Sequence, residues 1–159
     1  MSTEISPLAQ ALGRVPTGLY IASTQGEAGP LGFVASFVVQ VGIEPPTICL
    51  AVGKDRDHLA AIRSTGKFAV SILDEASSGL MGAFFGKLEP GQTPFDQLAT
   101  ASTEAGSTVL TEALAWLDCE LCGEHEVGDH IVVFGKVVEG CQQREGDPKV
   151  HLRKNGLSY

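Results

Sequence analysis

The chain has 159 residues, with 11 lysines and arginines against 19 aspartates and glutamates, and its formal net charge is −8. This length fits a single domain over residues 1–159, and the acidic balance argues against nucleic acid and anionic membranes as partners. No apolar run approaches the roughly 20 residues that span a bilayer, and residues 1–10 lack the pattern of a signal peptide, so we expect a cytoplasmic protein.

Apolar and β-branched runs alternate with turn-forming residues along most of the chain. In chain order, they predict a helix over residues 7–12, strands over 15–23, 32–42 and 47–52, a helix over 58–64, a strand over 67–73, a helix over 77–85, and strands over 116–123 and 131–138. Asp57 and Gly66 are the expected caps of the second helix. Residues 24–32 are expected to form a turn, residues 86–108 a long surface excursion, and residues 124–130 a loop. Six short strands with short helical insertions predict a mainly β fold and a closed barrel.

The strand that begins at Gly32 is the most informative element. It is apolar enough for both of its faces to be buried, yet it carries polar side chains at Ser36 and Gln40. Residues four apart on a strand share one face, so this face is expected to meet a ligand. Ser36 does not lie in the Gly-x-Ser-x-Gly turn of a serine hydrolase, and the chain lacks the glycine-rich dinucleotide and phosphate-loop motifs.

A charged segment, Lys54 to His58, leads from the strand over 47–52 into the second helix. Two cations just before a helix N-terminus favour a phosphate site, because the free N–H groups there also attract anions. The alternative is a solvated turn in which Asp55 and Asp57 neutralise Lys54 and Arg56. The spacing alone leaves both interpretations open.

Two further motifs are candidates for contact with a substrate. Asp129 precedes His130 and could fix the tautomer of its imidazole, although a turn with a surface histidine explains the same pattern. Phe85 and Gly86 follow the third helix and are a candidate for part of a pocket.

The four cysteines are few for a disulfide framework, and we expect reduced thiols in the core. Cys119 and Cys122 form a Cys-x-x-Cys motif inside a predicted strand, where side chains three apart point to opposite faces. They are therefore expected to pack in the core, and no metal site is expected.

In their order along the chain, these motifs resemble the flavin reductase-like domain family, whose fold is the FMN-binding split barrel. The matching residues are Gly32-Phe33-Val34-Ala35-Ser36, Glu44-Pro45-Pro46, Gly66, Phe68, Val70, and Gly128-Asp129-His130. Many members have serines or other small residues at Phe37, Gln40 and Gly42. The chain resembles most the C-terminal reductase module of diflavin flavoproteins (flavodiiron proteins), through Ala51-Val52-Gly53-Lys54-Asp55-Arg56 and the segment from His151 to Tyr159.

The resemblance implies a six-stranded FMN-binding split β-barrel with short helical insertions, working as a homodimer. The flavin ring would lie against Val34 to Phe37, and Lys54 and Arg56 would hold the phosphate. His130 would line the approach of the nicotinamide and position it for hydride transfer. The implied cofactor-binding residues are Val34, Ala35, Ser36, Phe37, Gln40, Val41, Gly42, Lys54, Arg56, His58, Phe85 and Gly86.

Two functions follow from the resemblance. The first is an NAD(P)H:flavin oxidoreductase that transfers a hydride from NADH or NADPH to FMN. The second is an FMN-binding electron carrier that receives electrons from a protein partner without productive use of NAD(P)H. A barrel that binds no flavin is the structural alternative. The sequence does not decide between NADH and NADPH, between FMN, FAD and riboflavin, or between a bound and a released flavin, and it does not name the electron acceptor.

Overall fold

Nine strands, two α-helices and one 3-10 helix make up the computed structural model, which describes residues 4–159. In chain order they are α1 (Pro7–Leu12), β1 (Tyr20–Gly26), β2 (Gly29–Ala35), β3 (Val38–Gly42), β4 (Thr47–Gly53), α2 (Asp57–Thr65), β5 (Lys67–Ile72), the 3-10 helix (Ser78–Phe84), β6 (Thr100–Ser102), β7 (Thr108–Leu110), β8 (Ala115–Val127) and β9 (His130–Gln142). Seven strands form one sheet in the order β2-β1-β5-β8-β9-β4-β3, and β6 pairs with β7. The mainly β prediction is confirmed.

The two edge strands of the large sheet, β2 and β3, are almost continuous in the chain. Only Ser36 and Phe37 separate Ala35 from Val38, and three residue steps span at most about 11 Å. The two edges must therefore lie close together, so the sheet curls into a barrel. Within the described strands, β2 and β3 do not pair, and the barrel stays open between them. The prediction of a closed barrel is therefore wrong, whereas the split barrel is confirmed, with seven strands in its sheet instead of six.

Several element boundaries differ from those predicted. The apolar run over residues 32–42 contains two strands, because the chain passes from one sheet edge to the other at Ser36 and Phe37. The turn predicted over 24–32 is mostly strand, since β1 and β2 form a hairpin that is paired as far as Gly26 and Gly29. Residues 124–127 likewise belong to β8, which pairs with β9 up to a turn at Gly128 and Asp129.

The second helix begins one residue earlier than predicted. Its N-cap is Arg56 instead of Asp57, which lies in the first turn, and no side chain caps the helix. Gly66 ends the helix at φ 70°, as predicted, in the left-handed region that glycine adopts without strain. Arg56 therefore stands at the point where the helix begins.

Two clusters of buried side chains stabilise the barrel. One fills its interior and packs under α2, around Phe68, Leu50 and Ile62. The other lies under the 3-10 helix, around Ile21 and Leu110. Each such side chain contributes about 1.5–3 kcal/mol when it leaves water. Among residues 4–159, no helix has the length and apolar character that crossing a membrane requires.

The four cysteines are free thiols. Cys119 is fully buried, and burial raises its pKa to about 12. Cys122 and Cys141, however, are exposed, because side chains in the second halves of β8 and β9 mostly face solvent. The prediction of core thiols is therefore wrong for these two residues.

Candidate functional site

A cavity of about 1080 Å³ opens where the barrel splits. Its volume lies just above the roughly 300–1,000 Å³ that is typical of small-molecule sites. The walls come from the β2–β3 junction, the β4–α2 turn, the 3-10 helix, the β8–β9 turn and residues 149–159, which we name the C-terminal segment. The lining residues are Leu19, Phe33, Val34, Ala35, Ser36, Phe37, Ala51, Gly53, Lys54, Asp55, Arg56, Met81, Phe85, Asp129, His130, Lys149, His151, Leu152, Arg153, Lys154, Asn155, Ser158 and Tyr159.

The junction between β2 and β3 leaves several polar groups without partners. The Ser36 hydroxyl is buried and makes no hydrogen bond of normal geometry with any described residue, although its proximity to the Tyr159 hydroxyl acts to lower the pKa of Tyr159 against the larger effect of burial. The backbone N–H groups of Ser36 and Phe37 donate to no backbone carbonyl of the described chain, whereas the Phe37 carbonyl accepts a bond of 3.0 Å from Ala51 N. An unsatisfied buried hydroxyl costs about 1–3 kcal/mol. A polar ligand atom beside Ser36 would remove that cost.

The β4–α2 turn contributes two cations with different surroundings. Lys54 Nζ forms an ion pair with Glu126 of β8, and the hydrogen bond from Lys54 lowers the pKa of Glu126. The Arg56 guanidinium lies 6.0 Å from the centre of the Phe33 ring and has no carboxylate partner among residues 4–159. Asp55 therefore does not neutralise either cation by a direct ion pair. The Arg56 guanidinium can still bind an anion.

His130 is fixed by its neighbour in the chain. Its Nδ1 lies 2.7 Å from Asp129 Oδ1, and this hydrogen bond lowers the pKa of Asp129. The imidazole packs edge-on against Phe37, with 5.8 Å between ring centroids. Lys54 N donates to the Asp129 carbonyl over 3.1 Å, which ties the β8–β9 turn to the β4–α2 turn. The cavity therefore holds His130 in one orientation.

The C-terminal segment supplies about a third of the residues that line the cavity, and none of its residues was among the predicted site residues. His151 pairs with Thr17 through backbone hydrogen bonds of 2.7 and 3.1 Å. The Arg153 guanidinium lies 5.1 Å from the centre of the Phe37 ring and 5.6 Å from that of Tyr159. The Phe37 and Tyr159 rings are themselves 5.4 Å apart. The density of basic residues in this segment is a signal in the sequence that would indicate such a role.

Seven of the predicted cofactor-binding residues line this cavity together with His130: Val34, Ala35, Ser36, Phe37, Lys54, Arg56 and Phe85. The structure thereby brings together a strand, a turn and a helix end that are well separated in sequence. Phe85 is 72% exposed and stands at the rim.

The other five predicted residues do not line it: Gln40, Val41, Gly42, His58 and Gly86. Gln40 lies on edge strand β3, donates to the Gly42 carbonyl over 3.1 Å, and borders a separate cavity of about 250 Å³. His58 packs behind the wall, with Nε2 3.1 Å from the Gly32 carbonyl and its ring 4.7 Å from that of Phe33. Burial lowers the pKa of His58.

Fold and cavity together define a split β-barrel domain with a ligand-sized site at its opening. Residues 12–156 match the model of the flavin reductase like domain. The chain belongs to the flavin reductase-like domain family, and the resemblance seen in the sequence is confirmed.

As the sequence motifs indicated, diflavin flavoproteins are relatives of this chain in sequence, and flavin oxidoreductases are similar to it in structure. Diflavin flavoprotein A 1 of Synechocystis sp. is 36% identical over 156 residues, which cover 97% of this chain but 27% of that protein. The chain thus spans about a quarter of the length of such relatives. Among solved structures, the NADH:FAD oxidoreductase of Streptomyces globisporus C-1027 is 25% identical, with a TM-score of 0.83 over 96% of this chain and 94% of that chain. Component B of nitrilotriacetate monooxygenase from Mycobacterium thermoresistibile is 28% identical, with a TM-score of 0.82 over 91% and 80%.

Proposed function

We propose that this chain is a flavin reductase, an NAD(P)H:flavin oxidoreductase that binds FMN at the split of the barrel and transfers a hydride to it from NADH or NADPH. The observation that carries the proposal is that, among residues 4–159, the buried Ser36 hydroxyl makes no hydrogen bond of normal geometry and the Arg56 guanidinium makes no ion pair, while both line the same cavity. A flavin mononucleotide combines a flat ring bearing polar atoms with an anionic phosphate. Membership of the flavin reductase-like family supports this ligand.

The residues of the cavity fit such a ligand. Val34, Ala35 and Phe37 offer an apolar wall for a ring, and the N–H groups at Ser36 and Phe37 offer donors to its carbonyl oxygens. Arg56, at the start of α2, would hold the phosphate together with the helix N–H groups. The sequence motif also implies Lys54, whose ion pair with Glu126 must loosen before it can contribute fully.

A bound flavin supplies a ring that accepts a hydride from a reduced nicotinamide. The protein's part is to place the donor and exclude water, because hydride transfer depends on proximity more than on acid or base catalysis. His130, held by Asp129 against Phe37, is positioned to limit where a nicotinamide can lie. We therefore assign His130 a positioning role.

The length of the relatives favours a second function, that of an electron carrier. The chain corresponds to about a quarter of a diflavin flavoprotein, 27% of the Synechocystis protein. A domain of that kind can also serve as an electron carrier that receives electrons from a protein partner. We further propose that the chain acts in the cytoplasm and that it passes electrons to a protein acceptor.

We also propose a homodimer. Strand β3 is a sheet edge, and its side chains are unusually apolar for their exposure: Val39 is 60% exposed and Val41 51%, and Ile43 beyond the strand is 80% exposed. An exposed apolar edge strand favours pairing with another chain. Sedimentation of the purified protein tests this, and a monomer at micromolar concentration would refute it.

An anaerobic titration tests the reductase proposal against the carrier. The protein is loaded with FMN, freed of excess flavin, and mixed with NADH or NADPH while the visible band of the oxidised flavin is followed. Bleaching by either nucleotide supports the reductase. If only a chemical reductant bleaches the band, the carrier is supported instead, and a protein that retains no flavin contradicts both.

A further inference from the structure

Positive charge is concentrated in the cavity of an otherwise acidic protein. Five of the 11 lysines and arginines line it, against two of the 19 acidic residues. Lys54 and Arg56 belong to the β4–α2 turn, and the other three belong to the C-terminal segment: Lys149, Arg153 and Lys154. Such focusing of one charge sign in a cleft attracts ligands of the opposite sign. The cavity therefore has two cationic groups from segments that are far apart in sequence.

Arg153 is the best-defined cation of the second group. It is half-buried, stacks on Phe37 and Tyr159 at 5.1 and 5.6 Å, and has no carboxylate partner among residues 4–159. Its side chain donates one hydrogen bond, from Nη1 to the Gly156 carbonyl over 3.3 Å. A guanidinium has five N–H donors, so most of them are free for a ligand. An oriented but unpaired guanidinium is suited to binding phosphate.

The backbone that carries Arg153 is also fixed. Arg14 Nη2 donates to the Arg153 carbonyl over 2.7 Å, and Gly156 N donates to the Ala9 carbonyl over 2.7 Å. His151 pairs with Thr17 just before it. A cation held in place in this way loses little conformational entropy when a ligand binds.

The positions of the two arginines indicate two anionic groups. Arg56 stacks on Phe33 and Arg153 on Phe37, and the Cα atoms of these two residues, four steps apart in the chain, are at most about 14 Å apart. The cavity volume of about 1080 Å³ exceeds what one drug-sized ligand needs. The single phosphate of FMN would occupy the end near Arg56, which leaves the end near Arg153 for a second ligand.

We propose that the C-terminal segment binds the phosphate groups of the reduced nicotinamide dinucleotide, with Arg153 as the residue that holds one of them. The inference rests on the proposed function, because the second ligand is the hydride donor of that reaction. Lys154 and Lys149 add positive charge at the same end of the cavity, although Lys149 also contacts Glu75 at 3.2 Å. The proposed flavin-binding residues belong to other segments, although Phe37, on which Arg153 stacks, is one of them.

The test compares Arg153→Met with wild type in four measurements. They are the Kd of NADP⁺ for FMN-loaded protein by calorimetry, the Kd of FMN by fluorescence titration, the KM for NADPH, and the rate with 1-benzyl-1,4-dihydronicotinamide, a hydride donor without phosphate. We expect the first and third to rise roughly ten- to a hundredfold, as for the loss of one charge-assisted hydrogen bond, and the other two to stay unchanged.

Two control variants separate this role from general effects of charge and folding. Lys136→Met removes an exposed cation of β9 outside the cavity and should leave all four measurements unchanged. Arg153→Lys keeps the charge without the planar fork, so its NADP⁺ affinity should be intermediate. Thermal melting of each variant shows whether its fold is intact.

Three results would overturn the inference. They are an unchanged NADP⁺ affinity in a folded Arg153→Met protein, an equal loss of FMN affinity, which would assign Arg153 to the flavin phosphate, and an equal slowing with the phosphate-free donor. NADP⁺ binding requires no hydride transfer. A protein that NADPH does not reduce, but that loses NADP⁺ affinity with Arg153, therefore contradicts the reductase proposal and supports the binding site.

Discussion

Replacing Arg56 with alanine should weaken FMN binding without affecting riboflavin. Arg56 has no ion-pair partner among residues 4–159, so the change removes a cation without leaving a buried charge unpaired. A hydrogen bond to a charged group contributes about 1.5–3 kcal/mol, and an exposed side chain such as Arg56 belongs near the lower limit. A loss of about 1.5 kcal/mol corresponds to roughly a tenfold higher Kd.

The assay is a fluorescence titration of flavin-free protein with FMN and, separately, with riboflavin. Riboflavin has the same ring and no phosphate, so its Kd reports contacts with the ring alone. Arg63→Ala is a matched control, because Arg63 lies on the same helix but pairs with Glu124 at 2.7 Å, outside the cavity. Equal losses for FMN and riboflavin would refute a phosphate contact, as would an unchanged FMN affinity.

Three other substitutions test the surroundings of the site. His130→Ala should slow flavin reduction by NAD(P)H about ten- to a hundredfold while flavin content stays the same; loss of FMN would show that His130 contacts the flavin. Hydrogen bonds from Ser77 and then Arg144 lower the pKa of Asp74 below its usual 3.8, so its stabilisation is present above pH 3.8 and is lost as pH falls through the lower folded value. Acid denaturation monitored in wild type and Asp74→Asn should therefore differ in slope below about pH 4, and equal slopes would contradict this. Gly156→Ala places a methyl group against the backbone of α1 and should destabilise the C-terminal segment by about 1–3 kcal/mol, raising its protease sensitivity; unchanged proteolysis would contradict the close packing.

Local sequence pattern predicted which segments form strands, because β-branched runs such as β4 and β5 favour extended backbone wherever they pack. It did not predict the break at Ser36 and Phe37. The apolar pattern continues across this position, and the strand is interrupted because the chain moves from one edge of the curled sheet to the other. That move is a property of the whole sheet, which no window of a few residues contains.

The same limit explains which site residues were found. One family motif contains the residues around Ser36, and another contains Lys54 and Arg56. The resemblance therefore identified these residues together. Arg153 is held at the cavity by contacts with residues distant in sequence, such as the hydrogen bond to its carbonyl from Arg14, 139 positions earlier in the chain. Gln40 was expected to share a face with Ser36, but the intervening break changes the alternation of side chains, and Gln40 borders a different cavity.

The position of the break accounts for the chemistry of the site. Inside a continuous sheet, the N–H groups of Ser36 and Phe37 would donate hydrogen bonds to a neighbouring strand. A buried serine hydroxyl without a partner would only destabilise the fold there. At the junction these groups donate to no backbone carbonyl of the described chain, while the flanking Ala35 and Val38 remain buried and hold the backbone in place. Polar groups fixed in advance in an apolar wall bind a ligand without paying for their own ordering. The opening of the barrel and the unused polar groups in the cavity wall therefore have one structural cause, the unpaired passage between β2 and β3.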